Sequence, residues 1–119
     1  MSTSPFIPNG KCTCANVVAG TGSSFTTAIS TGLCNTLLVV NTGASPVFYS
    51  FTANVSVTPS AIIPSSNTSS NGLMIAPGDS HVVGLPNADA TSMHASQVKF
   101  AANVAVGYSS IYVTPVIKL

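Results

Sequence analysis

Charged side chains are almost absent from this sequence. It contains no arginine, no glutamate and no tryptophan, and charged residues make up 4% of the chain. Ordinary soluble domains carry about 25% charged residues. The charged positions are Lys11, Lys99, Lys118, Asp79 and Asp89, and the formal net charge is +1. Three scattered lysines do not provide the basic footprint that nucleic-acid binding requires, so we predict no nucleic-acid partner.

A surface with so few charges must consist of serine, threonine, asparagine, glycine and small apolar groups. Near-zero net charge favours association. Neutral hydroxyl and amide groups can be buried against a partner without leaving an unpaired charge, and without immobilising long side chains at roughly 1.5–2 kcal/mol of entropy each. The composition therefore predicts a chain that is buried in an assembly.

Long hydrophobic runs are missing as well. A membrane-spanning helix needs roughly 18 or more consecutive apolar residues, and the apolar run from Leu37 to Val40 is far shorter. Residues 1–11 contain two prolines and lack the basic start and the apolar block of a signal peptide. We therefore predict no membrane association and no export by that route.

The chain has the length and composition of one folded domain. Its 119 residues are enough to bury roughly 65–70% of the unfolded surface without metals or disulfides. Hydrophobic residues make up 45% of the chain and the net charge is small, which argues against disorder. Because β-branched residues are abundant and no helical periodicity is sustained, we predict an all-β fold.

Two stretches alternate apolar and polar residues with the period of a β-strand. The first covers residues 47–57, and the second covers residues 97–108 and is predicted to be one strand or a hairpin. Leu37 to Val40 is apolar without alternation, which predicts a strand covered on both faces. Shorter candidate strands are residues 25–29, 73–75, 81–85 and 110–114.

Turn-forming residues separate these stretches. Residues 41–46 are one predicted turn, and Pro77 followed by Gly78 suits a type II turn. Short strands with such turns are typical of a sandwich, jelly roll or barrel. We predict a single-domain, jelly-roll-like β-sandwich over residues 23–119, with residues 64–72 as an exposed loop. The proline- and glycine-containing residues 1–22 are predicted to form an irregular N-terminal arm, which either reaches onto a neighbour or is a disordered terminus.

Residue types suited to catalysis occur only in a weak pattern. A nucleophilic triad would need a serine held by His81 or His94, with Asp79 or Asp89 to orient the histidine. Asp79 and His81 are two positions apart and would share one face of a strand, although Asp79 also fits an ordinary turn. No GxSxG elbow, Walker sequence or complete dinucleotide-binding loop occurs. We predict that the protein is not an enzyme, with no catalytic residue and no cofactor.

The sequence contains three cysteines, of which Cys12 and Cys14 form a CxC pair and Cys34 stands apart. A structural zinc site usually needs four ligands, and among the histidines only the distant His81 or His94 could approach. In a reducing compartment, three free thiols are the expected state. We therefore predict no metal site.

Three segments together resemble a known class of proteins. They are LLVVNTGASPVFYSF (37–51), IAPGDSHVVGLP (75–86) and SSIYVTPV (109–116). A buried strand that runs into an Asn-Thr-Gly turn, an aromatic alternating strand, a Pro-Gly turn and a Tyr-Val-Thr-Pro strand occur in this order. This order resembles small structural proteins of tailed bacteriophages, and the resemblance covers about residues 36–116.

The resemblance implies a β-sandwich protein that decorates or cements a capsid. Such a protein is made in the host cytoplasm, sits on the capsid exterior of the virion and binds across major capsid protein subunits. It is a homo-oligomer, with a trimer favoured and a dimer possible. The resemblance implies no catalytic residue. The usual glycine after Thr-Pro is replaced by residues 116–119, which predicts either a longer last strand or an oligomer contact.

Two aromatic residues, Phe48 and Phe6, are candidates for contacts with a partner. Phe48, on the otherwise polar face of residues 47–57, and Phe6 of the arm would touch a partner, although packing within the monomer explains them equally well. Tyr49 and Tyr108 fall on the apolar faces of their stretches and are predicted to be core or interface residues.

The alternative function is a receptor-binding or fibre module, or a neck or tail subunit, which would share fold and composition but bind a host surface or another tail protein.

Overall fold

The computed structural model describes residues 6–8, 10–28, 36–52, 59, 63, 72–84 and 97–118. This part of the chain contains β-strands and turns and no helix. The strands are β1 (Phe6–Pro8), β2 (Thr13–Val18), β3 (Ser23–Ala28), β4 (Thr36–Asn41), β5 (Val47–Thr52), β6 (Leu73–Ile75), β7 (Ser80–Gly84), β8 (Gln97–Asn103) and β9 (Tyr108–Lys118).

The strands form two antiparallel sheets. The first sheet has the order β1-β9-β4-β7, with β2 also paired to β9, and the second sheet has the order β3-β8-β5-β6. The predicted β-sandwich is therefore confirmed. The jelly-roll description requires eight strands in two sheets. The strands β2 to β9 lie four in each sheet, which agrees with this number. The jelly-roll topology itself stays a prediction.

The hydrophobic core lies between the two sheets and is built from the alternate residues that face inward. Its largest side chains form a cluster of stacked aromatic rings. The ring centroid of Phe100 lies 5.1 Å from the ring centroid of Phe25, 5.4 Å from that of Tyr49 and 6.1 Å from that of Phe51. The buried core residues are Val17, Leu37, Val39, Val47, Tyr49, Ile75, Val98, Phe100, Ala102, Val104, Ile111 and Val113.

The strands predicted from local patterns occur where they were expected. Leu37 to Val40 lies in β4, between β7 and β9. Leu37 and Val39 are buried in the core, whereas Leu38 and Val40 are half-buried, so the predicted cover on the side away from the core stays a prediction. The stretch 47–57 is a strand over Val47–Thr52, and the rest of that prediction lies outside the described residues, as does most of the predicted loop 64–72. β9 continues to Lys118 and pairs with β1, which confirms the longer last strand.

The prediction for residues 97–108 is wrong in one respect. The chain is neither one strand nor a hairpin there, because β8 ends at Asn103 in the second sheet and β9 begins at Tyr108 in the first. Gly107 has a φ of 69° in the intervening turn, a backbone conformation that glycine adopts without steric cost. The alternation of apolar residues continues through this turn, so the pattern does not reveal the change of sheet.

The predicted irregularity of the N-terminal arm is wrong for residues 6–8 and 13–18, which are strands. β1 and β2 both pair with β9 in the first sheet, and Val17 of β2 is fully buried in the core. β2 alternates half-buried or buried residues with exposed ones, but its inward positions include the small Thr13 and Ala15, which give a weak hydrophobic signal. Whether this segment also reaches onto a neighbour stays a prediction.

The turns between the sheets meet at one end of the sandwich, which we call the turn end (residues 19–22, 42–46, 76–79 and 104–107). The amide of Ala19 donates to the carbonyl of Gly107 over 2.9 Å, and the Ser45 hydroxyl donates to the carbonyl of Val106 over 3.0 Å. The predicted type II turn is confirmed, because Gly78 has a φ of 77° and the Asp79 amide donates to the Ala76 carbonyl.

Candidate interaction surface

One buried side chain, that of Asn41, joins three segments at the turn end. These are the Asn-Thr-Gly turn, the Pro-Gly turn and the start of β9. Asn41 is fully buried, and its side-chain amide donates to the carbonyls of Ser45 (2.9 Å) and Ile75 (3.1 Å). Its side-chain carbonyl accepts from the amide of Gly43 (3.0 Å) and the hydroxyl of Ser109 (2.7 Å). All four hydrogen-bonding positions of the asparagine are therefore used.

The backbone of Asn41 binds the Pro-Gly turn in addition. Its amide donates to the carbonyl of Asp79 (3.0 Å), and its carbonyl accepts from the amide of Gly78 (2.8 Å). Position 43, two residues after Asn41, must be glycine, because a Cβ on Gly43 would lie 2.6 Å from the Cα of Ser109. The segments that carry the phage resemblance thus form a structural corner, and sequence analysis identified Asn41 only as a turn residue.

Two of the candidate catalytic residues, Asp79 and His81, contact each other, and His81 also contacts the core. Asp79 Oδ2 lies 3.9 Å from Nε2 of His81, so the two side chains do share a face. Nδ1 of His81 lies 2.8 Å from the hydroxyl of Tyr49, which is fully buried in the core. The histidine nitrogen that a triad would offer to a serine is therefore engaged by a core phenol. Asp89 and His94 lie outside the described residues.

Because the Tyr49 phenol is buried, the free energy of unfolding depends on pH in the alkaline range. Burial raises the pKa of Tyr49 from 10.0 to about 12, so the folded chain holds this proton more tightly than the unfolded chain. The stabilisation is complete below the unfolded pKa and is lost as the pH rises through the folded pKa. We expect the free energy of unfolding to fall by about 2 to 3 kcal/mol over this range from Tyr49 alone.

Denaturant unfolding at several alkaline pH values measures this effect, and Tyr49→Phe is its control. The two proteins differ only at residue 49, so a difference in their pH dependence reports the contribution of Tyr49. The variant should lose stability with pH less steeply than the original chain. Equal slopes would show that the Tyr49 proton is not linked to folding.

One face of the sandwich presents a continuous neutral surface to the outside. We call it the outer face, and it consists of the exposed and half-buried residues that alternate with the core residues in β2, in β4, in β7 as far as Val82 and in β9 as far as Thr114. Its residues are Cys14, Asn16, Val18, Leu38, Val40, Ser80, Val82, Tyr108, Ser110, Tyr112 and Thr114. None of them carries a formal charge. Its polar groups also bond to each other, since the Ser110 hydroxyl donates to the Asn16 side chain over 2.8 Å.

The outer face becomes most apolar near the turn end. Tyr108 is 73% exposed and Val106, in the preceding turn, is 76% exposed. Val18 pairs directly with Tyr108 and is also exposed. The prediction that Tyr108 is a core residue is therefore wrong, because the chain has changed sheets by this point and the alternation places Ser109 inside instead. Its role as an interface residue stays a prediction.

The other contact candidates are Phe48 and Phe6. Phe48 is half-buried in the second sheet, where it pairs with Met74 and Asn103. Phe6 is in β1, opposite Lys118. The structure therefore brings Phe48 and Phe6 to different sheets, and Phe48 does not belong to the outer face.

The thiols of Cys12 and Cys14 are both exposed and free, while Cys34 lies outside the described residues. Cys14 pairs with Tyr112 on the outer face. Within the described ranges, no group of three or more His, Cys, Asp or Glu side chains could hold a metal ion. In the same part of the chain, no helix has the length and apolar character needed to cross a membrane.

Comparison with known proteins adds no relative to this description. The chain was compared with protein family models, with curated proteins and with solved structures, and no match was found in any of the three.

Proposed function

We propose that this protein is a structural component of a bacteriophage virion that decorates the capsid exterior and fastens neighbouring major capsid protein subunits. The observation that carries the proposal is the outer face, a sheet surface free of charge that ends in exposed apolar residues. The resemblance of residues 36–116 to phage structural proteins supports the same function.

The outer face suits permanent burial against protein. Its hydroxyl and amide groups can exchange hydrogen bonds with a partner, and no ion has to be removed from water there, a step that would cost several kcal/mol. Exposed apolar residues such as Val106, Tyr108 and Val82 gain roughly 25 cal/mol for each Å² of apolar surface that is covered. A standard interface buries roughly 1,200–2,000 Å² in total.

Repetition would supply the strength of the clamp. A homo-oligomer that touches several capsid subunits binds its second and third sites within one assembly, so avidity can exceed the single-site affinity by roughly 10²- to 10⁴-fold. Modest contacts of one copy then hold a shell together. The protein needs no catalytic group for this function, and we propose the outer face as the binding surface.

Co-sedimentation with undecorated capsids of its own virus tests the proposal. We expect saturable binding, with a copy number that matches the symmetry of the lattice, and a native mass measurement that gives an oligomer. Absence of binding to capsids would overturn the decoration function and favour the appendage alternative, which predicts binding to tail proteins or to the host surface instead.

A pair of matched variants tests the outer face itself. Val82→Lys places a charge on the outer face at a position 40% exposed, and Met74→Lys places the same charge on the second sheet at a position 50% exposed. Because a buried unpaired charge costs several kcal/mol, Val82→Lys should weaken capsid binding or oligomer formation at least 100-fold. Met74→Lys should leave both within about threefold, since an exposed lysine remains hydrated.

Both variants should unfold at temperatures close to that of the original chain, since both positions are solvent-accessible. If Met74→Lys weakens binding and Val82→Lys does not, the second sheet is the binding surface and the outer face is not.

A further inference from the structure

Strand β7 forms one edge of the first sheet and pairs with β4 on its other side. The register determines where its backbone groups point. Asn41 and Asp79 are a hydrogen-bonded pair, because the Asn41 amide donates to the Asp79 carbonyl over 3.0 Å. Hydrogen-bonded and non-hydrogen-bonded pairs alternate along an antiparallel ladder. The backbone groups of His81 therefore point toward β4, and those of Val82 point away from the sheet.

The outward-pointing backbone groups of β7 belong to Ser80, Val82 and Gly84. The Ser80 amide donates to the Asp79 carboxylate over 2.8 Å, so this end of the edge is capped. In the part of the chain that the structure describes, the amide and the carbonyl of Val82 bond to no other group. Unpaired donors and acceptors along a sheet edge are a template for pairing with a further strand.

β7 has none of the features that usually protect such an edge. These features are a lysine or proline on the strand, a bulge, or a very short strand. β7 has the sequence SHVVG, and its register with β4 contains no bulge. The edge of β2, in contrast, is closed by its own chain. There the Asn16 carbonyl accepts from the Ser23 hydroxyl (3.0 Å), and the Val18 carbonyl accepts from the Gly22 amide (3.1 Å).

We propose that β7 pairs antiparallel with β7 of a second copy of this chain, about a two-fold axis at Val82. The amide of each Val82 then donates to the carbonyl of Val82 of the partner subunit. The amide of each Gly84 donates to the carbonyl of Ser80 of the partner subunit. The carboxylate cap on the Ser80 amide stays in place, and the first sheets of the two copies become one continuous sheet.

A second copy suits this edge because the contact is self-complementary. In an isologous contact the same segment serves on both sides, and no side chain of β7 carries a formal charge with histidine neutral. Val82, 40% exposed, lies opposite Val82 of the partner subunit, so two apolar side chains meet. The Asp79 carboxylates lie at opposite ends of the paired strands, where they do not repel each other.

The pairing also extends the outer face. Antiparallel pairing at an edge places the two-fold axis perpendicular to the sheet, so the outer faces of both copies lie on the same side. Together they form one neutral surface of twice the size. This surface would strengthen the proposed capsid contact through avidity, but the pairing of β7 does not depend on that function.

Native mass spectrometry and amide hydrogen exchange of the free protein, at low and high concentration, test this contact. We expect a dimer in which the Val82 amide exchanges roughly 100-fold more slowly than in the monomer. The His81 amide is the internal control, because it points toward β4 and should be protected in both states. A trimer would overturn the pairing, since a two-fold contact cannot close a ring of three. A monomer at all concentrations, or a dimer without protection of Val82, would overturn it as well.

Two variants separate the backbone contact from the side chain. Val82→Pro removes an amide that points to the partner copy and no bond to β4, which is where edge strands accept proline. It should raise the dimer dissociation constant at least about 10-fold, because both central hydrogen bonds are lost. Val82→Thr keeps the amide and the shape of the side chain, and threonine pairs also suit adjacent strands. It should dimerise within about threefold of the original chain.

Unchanged dimerisation of Val82→Pro, or an equal loss in both variants, would contradict a backbone contact. Thermal unfolding shows whether Val82→Pro retains the fold, and hydrogen exchange of the original chain decides if it does not. These measurements use the free protein, so failure to bind capsids does not affect them. Protection of the Val82 amide only after capsids are added would assign the edge to a capsid strand and overturn its pairing with a second copy.

Discussion

Asn41→Ala is expected to lower the free energy of unfolding by about 4 kcal/mol, which is a large part of the stability of a domain of this size. The side chain is fully buried and bonds to four groups, on Gly43, Ser45, Ile75 and Ser109. Alanine leaves the buried groups of Ile75 and Ser109 and the part-buried groups of Gly43 and Ser45 without this partner, and each unsatisfied buried group costs about 1–3 kcal/mol.

Chemical denaturation of Asn41→Ala and of the original chain measures this difference. Thr42→Ala is the control, because Thr42 is the exposed next residue of the same turn and its removal should change stability by less than about 0.5 kcal/mol. A loss below about 1 kcal/mol for Asn41→Ala would show that water replaces the side chain and that Asn41 does not hold the corner together.

Phe100→Ala is expected to cost about 4 kcal/mol, for a different reason. Phe100 is fully buried, and its ring stacks on those of Phe25, Tyr49 and Phe51. Its removal loses the burial of a large apolar side chain and leaves a cavity among the three rings that it contacts. Removal of a buried phenylalanine typically costs about 3–5 kcal/mol.

Thermal or denaturant unfolding checks this value, and Tyr108→Ala serves as the control. Tyr108 is also aromatic and lies on a strand but is 73% exposed, so its truncation should change the stability of the free protein by no more than about 0.5 kcal/mol. Similar losses for the two variants would mean that Tyr108 is buried in the folded chain in solution.

The strands with strong alternation could be predicted because their signal is local. Val47, Tyr49 and Phe51 of β5 define the inward face of the strand within a few residues, and the short apolar run of β4 indicates a strand without any alternation. β2 was missed because Thr13 and Ala15 make a weak apolar face, and because glycines and prolines near it resemble an irregular segment. Its place in the sheet depends on β9, about a hundred positions away in the chain.

The candidate site was only partly visible for the same reason. The proximity of Asp79 and His81 follows from their spacing on a strand, whereas the bond between His81 and Tyr49 joins residues 32 positions apart. The contacts of Asn41 with Ile75 and Ser109 span 34 and 68 positions. No signal in the order of residues could have shown that this asparagine, in an ordinary turn pattern, is a buried centre of the fold.

The amino-acid sequence alone determined the neutral surface, the all-β class and the positions of the strongest strands, because charge content and alternation are properties of neighbouring residues. The tertiary structure alone decided which sheet each strand joins and which apolar residues stay exposed. Val104 and Val106 continue one alternating pattern, yet Val104 is buried and Val106 is 76% exposed. Alternation defines two faces of a strand, but only pairing between distant segments determines which of those faces is covered.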